Sequence, residues 1–185
     1  MNWITFLIIS WVAFGLEVGF RDALRLAPGD IAPSFVVPLI VYIALSAPAR
    51  HALWAALILG ALIDLTWLLP RDDLAESSVL GPHALGAIIA AQGVLAVRGS
   101  VIRRHLLTLV VLSVAAAAVM GIVVVAFMTL REAYGDPIRF NPTGELGTRL
   151  LGALYTGGTA VAWALIMRLI DPAFQFQNER GLRRH

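Results

Sequence analysis

The chain has 185 residues, of which 59% are hydrophobic and only 14% are charged, whereas about a quarter of the residues in a soluble domain are charged. A globule of this size cannot bury so many apolar residues, so the composition excludes an ordinary soluble enzyme and predicts a single domain in a lipid bilayer. The net charge of +2 is too small to indicate a nucleic-acid partner. The absence of cysteine excludes disulfides, thiolate catalysis and cysteine-ligated metals.

Long apolar stretches follow one another along the chain. The hydrocarbon core of a bilayer, roughly 30 Å thick, needs about 20 helical residues, and backbone in lipid must be helical or closed into a barrel. Because the apolar stretches are continuous and do not alternate, they favour helices. We therefore predict an all-α polytopic membrane protein of about six transmembrane helices. The predicted spans are residues 2–20, 33–47, 51–69, 81–97, 106–130 and 148–170.

Prolines mark the ends of the early spans. The first span lacks the basic start and small-residue cleavage site of a signal peptide, so we expect it to be retained. Pro38 lies in the first turns of the second span, where a missing N–H is tolerated. Only a short turn follows Pro48, so spans two and three should be antiparallel neighbours. The third span ends at Pro70, within a charged loop at residues 66–79.

The second half of the chain adds a basic loop, a long loop and a polar tail. Arg98, Arg103 and Arg104 follow span four without an acidic residue between them, and cytoplasmic loops carry the excess of basic residues. We therefore predict a cytoplasmic basic loop here and both termini in the cytoplasm. The longest loop is residues 131–147. Residues 1–172 are assigned to one transmembrane domain, and residues 173–185 to a basic tail that we expect to be disordered.

Two acidic residues interrupt the predicted spans. An ionisable group in lipid costs on the order of a few kcal/mol unless it has a partner or water. Arg21 lies one helical turn after Glu17, so Glu17 is interpreted first as a paired interfacial acid, with a proton or ion relay as the alternative. Asp64 has no opposite charge within one turn, and a structural contact between helices and a functional contact stay equally open.

His83 follows Gly81 and Pro82 at the start of span four. The favoured interpretation is a polar residue at a helix entrance, satisfied by water or backbone, and the alternative is a partner for Asp64 across the loop. Both acids are expected near the same membrane face. They would then share a polar cluster with Arg21 or His83.

Small residues recur at helical spacing in two spans. Gly15 and Gly19 form a Gly-x-x-x-Gly pair in the first span, and Ala56 and Gly60 form a similar pair in the third. Such pairs allow two helix backbones to approach closely. Packing within the bundle is the favoured interpretation, and a docking face for a helix of another protein is the alternative. No internal repeat at a fixed spacing is recognised, which argues against an inverted-repeat transporter.

Catalytic and metal-binding patterns are not recognised in the sequence. The four histidines are scattered, and no serine stands in a Gly-x-Ser-x-Gly elbow. Gly157 and Gly158 lack the Gly-Lys-Ser/Thr of a phosphate-binding loop. We therefore predict a protein that is not an enzyme and that uses no cofactor and no metal.

Residues 33–99 carry a more specific pattern. The segment PSFVVPLIVYIALSAPARHALWAALILGALIDL, at residues 33–65, is followed after a charged insertion by VLGPHALGAIIAAQGVLAVRG at residues 79–99. The most specific parts of this pattern are Asp64 and the Leu-Gly-x-His-Ala-Leu motif, which contains His83. In these features the chain resembles the family of the rod shape-determining protein MreD.

This resemblance implies a non-enzymatic scaffold or regulatory subunit of the bacterial cell-elongation complex (elongasome), in the inner membrane. The expected partners are an MreC-like protein, the RodA and transpeptidase enzymes of peptidoglycan synthesis, and MreB filaments. The family is also similar in fold to the substrate-binding subunits of energy-coupling-factor transporters. By that analogy, Asp64 and His83 would belong to a polar patch on the outer side, and the basic loop to a cytoplasmic contact.

Two other functions stay open. A small-solute-binding subunit of an energy-coupling-factor-type transporter would have the same size and number of helices, but it needs several convergent polar side chains in a pocket. Its candidates are Glu17, Asp64, Trp67, Gln92 and Tyr155. A membrane enzyme would need a spaced set of acid, base or metal ligands.

Overall fold

The computed structural model describes residues 2–26, 31–66, 68–70, 76–78, 80–101, 105–134 and 141–170. Six helices and one hairpin of two short strands form this part of the chain. In chain order they are α1 (Trp3–Arg21), α2 (Val36–Ser46), α3 (Ala49–Thr66), β1 (Leu68–Pro70), β2 (Glu76–Ser78), α4 (Pro82–Val97), α5 (Leu106–Ala133) and α6 (Pro142–Ile170). The strands are antiparallel, with Leu69 opposite Ser77. The helical class is thus as predicted, with the hairpin added between α3 and α4.

Four of the helices in this part of the chain, α1, α3, α5 and α6, are long and apolar enough to cross a membrane. The other two are apolar but shorter. α2 has 11 residues, roughly 16 Å at 1.5 Å per residue, which is about half of the hydrocarbon thickness. The fold is therefore consistent with a membrane protein in which two shorter helices pack among four longer ones.

α2 lies at the centre of the bundle and packs against α1, α3, α4, α5 and α6. All of its residues are buried except Tyr42 and Ser46. Pro38 is its third residue, a position at which no intrahelical N–H bond is lost. The short turn at Pro48 then leads directly into α3, which packs beside α2, as the sequence predicts.

The chain enters α2 through a non-helical segment, residues 31–35, whereas the predicted span began as a helix at Pro33. Ile31 pairs with Leu26 in an isolated bridge. The carbonyl of Ala32 approaches Gly152 of α6, where an added Cβ would lie 3.2 Å from that oxygen. Non-helical backbone inside a membrane is tolerated only when protein groups satisfy its hydrogen bonds, and the polar contacts described below satisfy those of this segment.

Two other boundaries differ from the predictions. α3 ends at Thr66, and Leu68–Pro70 at the end of the predicted span pairs in the hairpin. α6 begins at Pro142, so residues 142–147 are helical and do not belong to the predicted long loop. Asn141 lies just before this helix and accepts the N–H of Gly144 through Oδ1 at 3.3 Å, as an N-cap does. Residues 135–140 of that loop and the predicted tail lie outside the described residues.

Close approach between helices depends on glycine. A Cβ on Gly60 of α3 would lie 2.6 Å from the Cα of Ala84 and 2.8 Å from the carbonyl oxygen of His83, both in α4. A Cβ on Gly86 of α4 would lie 3.1 Å from the Cα of Met120 in α5. Consequently α3, α4 and α5 meet backbone to backbone at the end of the bundle where α4 begins. Ala56, one turn before Gly60, is also fully buried.

Candidate functional site

Asp64, near the end of α3, closes the N-terminus of α4. Its Oδ2 accepts the N–H of Gly81 at 2.8 Å and of Ala84 at 3.1 Å, and its Oδ1 accepts the N–H of His83 at 2.9 Å. Gly81 has a φ of +130°, which favours glycine, and Pro82 fills the first helical position, where an N–H is dispensable. Because Asp64 is only 1% exposed, its carboxylate replaces the water that an exposed helix end would bind.

His83 connects this carboxylate to α6. Its Nδ1 lies 2.8 Å from Oδ1 of Asp64, and its Nε2 lies 3.3 Å from Nη1 of Arg149. Nε of Arg149 in turn donates to Oε1 of Glu145, one turn earlier in α6, at 2.9 Å. Arg21, at the end of α1, interacts electrostatically with both His83 and Arg149. Asp64, His83, Arg149 and Glu145, the Asp64 cluster, thus form one chain of polar contacts across α3, α4 and α6.

Glu17 of α1 caps the start of α2, as Asp64 caps the start of α4. Its Oε2 accepts the N–H groups of Phe35 and Val36, the latter at 3.2 Å, and the hydroxyl of Ser34 at 3.2 Å. Arg21, the predicted partner, interacts electrostatically with Glu17. Glu17 is therefore a helix cap in addition to a neighbour of Arg21.

Two threonines of α6 complete the Glu17 cluster, which consists of Glu17, Ser34, Thr156 and Thr159. The N–H of Ser34 donates to Oγ1 of Thr156 at 3.0 Å, and Oγ1 of Thr159 donates to the carbonyl of Ser34 at 2.6 Å. Both threonines are buried. Side chains of α1 and α6 together satisfy the backbone where the non-helical segment turns into α2.

The two carboxylate caps recur at one spacing. Asp64 follows Glu17 by 47 residues, and His83 follows Val36 by the same 47, with each acid accepting the N–H of the corresponding residue. In each case a long helix supplies the carboxylate and the next, shorter helix is capped by it. Only the acid and the helix start recur, so the equal spacing of the two caps is not accompanied by a repeat in the surrounding sequence.

The other end of α2 is closed by a basic residue. Nη1 of Arg98, just after α4, donates to the carbonyl of Ala47 at 2.9 Å and approaches that of Ala44 at 3.5 Å. A guanidinium is favourable at a helix C-terminus. α2 thus has a carboxylate at its start and a guanidinium at its end. Arg103 and Arg104, predicted in the same basic loop, lie outside the described residues.

Gly15 and Gly19 face away from the bundle. Both are exposed, and an added Cβ on either would meet nothing within 4 Å. The buried side of α1 is formed instead by Phe6, Ile9, Ser10 and Ala13. In the part of the chain that the structure describes, this pair therefore packs against no other helix, in contrast to Gly60.

The polar residues proposed for a solute pocket do not converge. Glu17 and Asp64 direct their carboxylates to two different helix ends. Gln92 is exposed and Tyr155 is half-buried, while Trp67 lies outside the described residues. Within the described ranges, no group of three or more His, Asp or Glu residues could hold a metal ion. The arrangement is suited to fixing helix ends and joining helices.

Sequence reasoning did not select several members of these clusters. Ser34, Thr156 and Thr159 are uncharged, and they become neighbours only through the fold. The i, i+3 spacing of the two threonines within an apolar run was their only local signal. Arg149 had a stronger signal, since an arginine among apolar residues of a span raises the same suspicion as Asp64.

Comparison with protein-family models, with curated proteins and with solved structures finds no match to this chain.

Proposed function

We propose that this protein is an MreD-like, non-enzymatic scaffold or regulatory subunit of the bacterial cell-elongation complex. It would lie in the inner membrane with both termini in the cytoplasm. The observation that carries the proposal is the Asp64 cluster. Asp64 and the Leu-Gly-x-His-Ala-Leu motif, on which the resemblance depends most, meet in one buried contact.

That contact explains physically why these residue types occur together in the motif. The aspartate supplies the cap, Gly81 supplies the positive φ, and His83 supplies both a backbone and a ring contact to the aspartate. Residues required together in one such contact are expected to recur together in a family. The shared residues are then a shared way of joining α3 to α4, which supports the resemblance beyond apolar composition.

The centre of the bundle supports a scaffold over a solute-binding subunit. α2 fills this centre with buried aliphatic side chains, including Leu39, Ile40 and Ile43, each at most 2% exposed. A solute pocket needs a concave site with convergent polar groups. The transporter alternative would therefore require α2 to move away from its neighbours.

Two surfaces are proposed to bind partners. The exposed side of α1, with Gly15 and Gly19, is suited to close approach by a transmembrane helix of an MreC-like protein. The basic loop with Arg103 and Arg104 is suited to cytoplasmic partners such as MreB. Arg98 belongs to that loop but is engaged with α2, so its role would be to position the loop.

Deletion of the gene in its native rod-shaped host tests this function. The proposal expects the cells to lose rod shape and the wild-type gene to restore it. An intact rod of normal width after deletion, combined with a new requirement for an external vitamin, would contradict the scaffold and favour the transporter.

A further inference from the structure

His83 lies between a group that only accepts hydrogen bonds and a group that only donates them. Its Nδ1 is 2.8 Å from a carboxylate oxygen of Asp64, and its Nε2 is 3.3 Å from Nη1 of Arg149. An arginine nitrogen cannot accept a hydrogen bond. Nε2 must therefore present its lone pair to Arg149, and the ring proton must lie on Nδ1, where it is donated to Asp64.

We propose that His83 is a proton-controlled latch between α4 and α6. The neutral imidazole, with its proton on Nδ1, holds Arg149, and protonation at Nε2 releases it. A proton on Nε2 would place two N–H donors of like charge in contact. The imidazolium would keep its bond to Asp64, whereas the Arg149 guanidinium would turn away and keep its bond to Glu145.

The charged groups around His83 divide into those that favour and those that oppose the imidazolium. Asp64 on α3 faces Nδ1 and stabilises the positive ring, while Arg149 on α6 and Arg21 on α1 oppose it. Glu145 on α6 neutralises Arg149 through the 2.9 Å bond. From α5, Gly121 touches the stem of Arg149 and Met120 touches α4, and neither titrates.

Release of Arg149 would loosen the start of α6. Arg149 of α6 contacts His83, and its Cβ packs 3.1 Å from the position of a Cβ on Gly121. The imidazole is therefore a link between the α3–α4 pair and the α5–α6 pair at this end of the bundle. The latch does not depend on the proposed function. It requires only that this end of the bundle is in contact with a solution whose pH changes.

The ring proton is tested directly by ¹⁵N NMR of histidine-labelled full-length protein in lipid nanodiscs. His83 is assigned by its absence from the spectrum of His83→Gln. At about pH 8, above the range in which histidine ordinarily titrates, the latch requires a protonated Nδ1 and an unprotonated Nε2. A proton on Nε2 at this pH would overturn the proposal.

Motion is tested by spin-label distances between α4 and α6. The chain contains no cysteine, so cysteines at Leu85 and Leu151, which are 46% and 53% exposed, provide the only labels. Wild type should show a longer or broader distance distribution at about pH 5 than at about pH 8, on either side of the histidine range.

Two variants distinguish the latch from general acid effects. His83→Gln keeps an amide oxygen that can accept from Arg149 but cannot be protonated, so its distances should not change with pH. Arg149→Leu has no donor for Nε2 of His83, so it should show the acid distribution of wild type at both pH values. An unchanged wild-type distribution, or a shift that persists in His83→Gln, would overturn the latch.

Discussion

Two acids, the buried Asp64 and the half-buried Glu17, each cap the start of the helix that follows their own. Asp64 accepts three backbone N–H groups of the turn that begins α4, and Glu17 accepts two at the start of α2. Hydrogen bonds to charged groups are worth about 1.5–3 kcal/mol, and the cost of leaving a buried donor unpaired is similar. These acids therefore matter first for the stability of the fold.

Asp64→Ala should lower the free energy of unfolding by about 3 kcal/mol or more, because several buried donors lose their acceptor together. Asp64→Asn should lower it by about 2 kcal/mol, since the amide oxygen still accepts from two donors while its NH2 group faces the other two. Unfolding by denaturant in detergent micelles measures both. The control is Glu145→Gln, whose more exposed ion pair should contribute less than about 1 kcal/mol. Equal losses in all three variants would contradict the capping role.

The Glu17 cluster predicts a second residue effect. Thr159→Val removes the hydroxyl that donates to the carbonyl of Ser34, while keeping the shape of the side chain. The loss should be about 1 kcal/mol, with increased protease sensitivity or hydrogen exchange at residues 31–35. Thr129→Val is the control, because its hydroxyl bonds only to the carbonyl four residues earlier in its own helix. Unchanged exchange at residues 31–35 would contradict the role of Thr159.

For individual residues, the sequence predicts which side chains are chemically unusual better than it predicts which residues they contact. The acids stand out because charge in an apolar run is costly, and a contact between Asp64 and His83 was one of two open interpretations. Nothing local predicts that Glu17 caps α2, since its donors lie beyond a polar loop. The uncharged partners Ser34 and Thr159 meet only because α6 returns beside the start of α2.

At the scale of elements, the fit of α3 against α4 depends on Gly60. Gly60→Ala would place a methyl group 2.6 Å from the backbone of Ala84, so one helix would have to shift, at a cost of about 1–3 kcal/mol. Gly93→Ala is the matched control on α4, because a Cβ there meets nothing within 4 Å and alanine has the higher helix propensity, by up to about 1 kcal/mol. Unfolding free energies measure the pair, and a stable Gly60→Ala protein would contradict the packing.

The exposed side of α1 predicts an effect on binding without an effect on folding. Leucine at both Gly15 and Gly19 should leave the free energy of unfolding unchanged, because no atom of the protein lies near, but should reduce recovery of the membrane partner at least about tenfold by blocking close approach. Gly158→Leu is the control, on an exposed and equally open position of α6. Undiminished recovery of the partner would contradict this face of α1 as the docking site.

The sequence predicts the existence of the helices well and their starts poorly. Apolar length identifies α1, α3, α5 and α6, which are the helices long enough to cross a membrane. It cannot distinguish a helix from a non-helical apolar segment, so the sequence predicts residues 33–35 as helix, whereas they precede it. At residues 142–147 the glycines and polar residues suggested a loop, whereas Pro142 begins a helix, as proline often does.

At the scale of the whole molecule, the arrangement is a short apolar helix enclosed by the others and held at both ends by charge. The surfaces left open to other proteins are then the outer faces of the long helices, where large apolar side chains are exposed. This suits a protein that positions others by helix packing. It also explains why composition alone predicted a membrane bundle but could not predict that α2 would be its core.

Orientation is tested with single cysteines in the cysteine-free chain. With both termini in the cytoplasm, Tyr134→Cys, at the end of α5, should react with a membrane-impermeant thiol reagent in intact spheroplasts. Ser100→Cys, after α4, should react only after the membrane is opened. The reverse pattern would place both termini outside and would contradict the orientation drawn from the arginines.

The central claim is that this bundle binds the machinery of cell elongation, and co-purification of the tagged protein from native membranes tests it most directly. Mass spectrometry should identify an MreC-like protein together with RodA, a transpeptidase or MreB, and these should diminish in the variant with leucine at Gly15 and Gly19. Recovery of an ATPase pair with a transmembrane coupling subunit in their place would contradict the scaffold and assign the protein to the transporters.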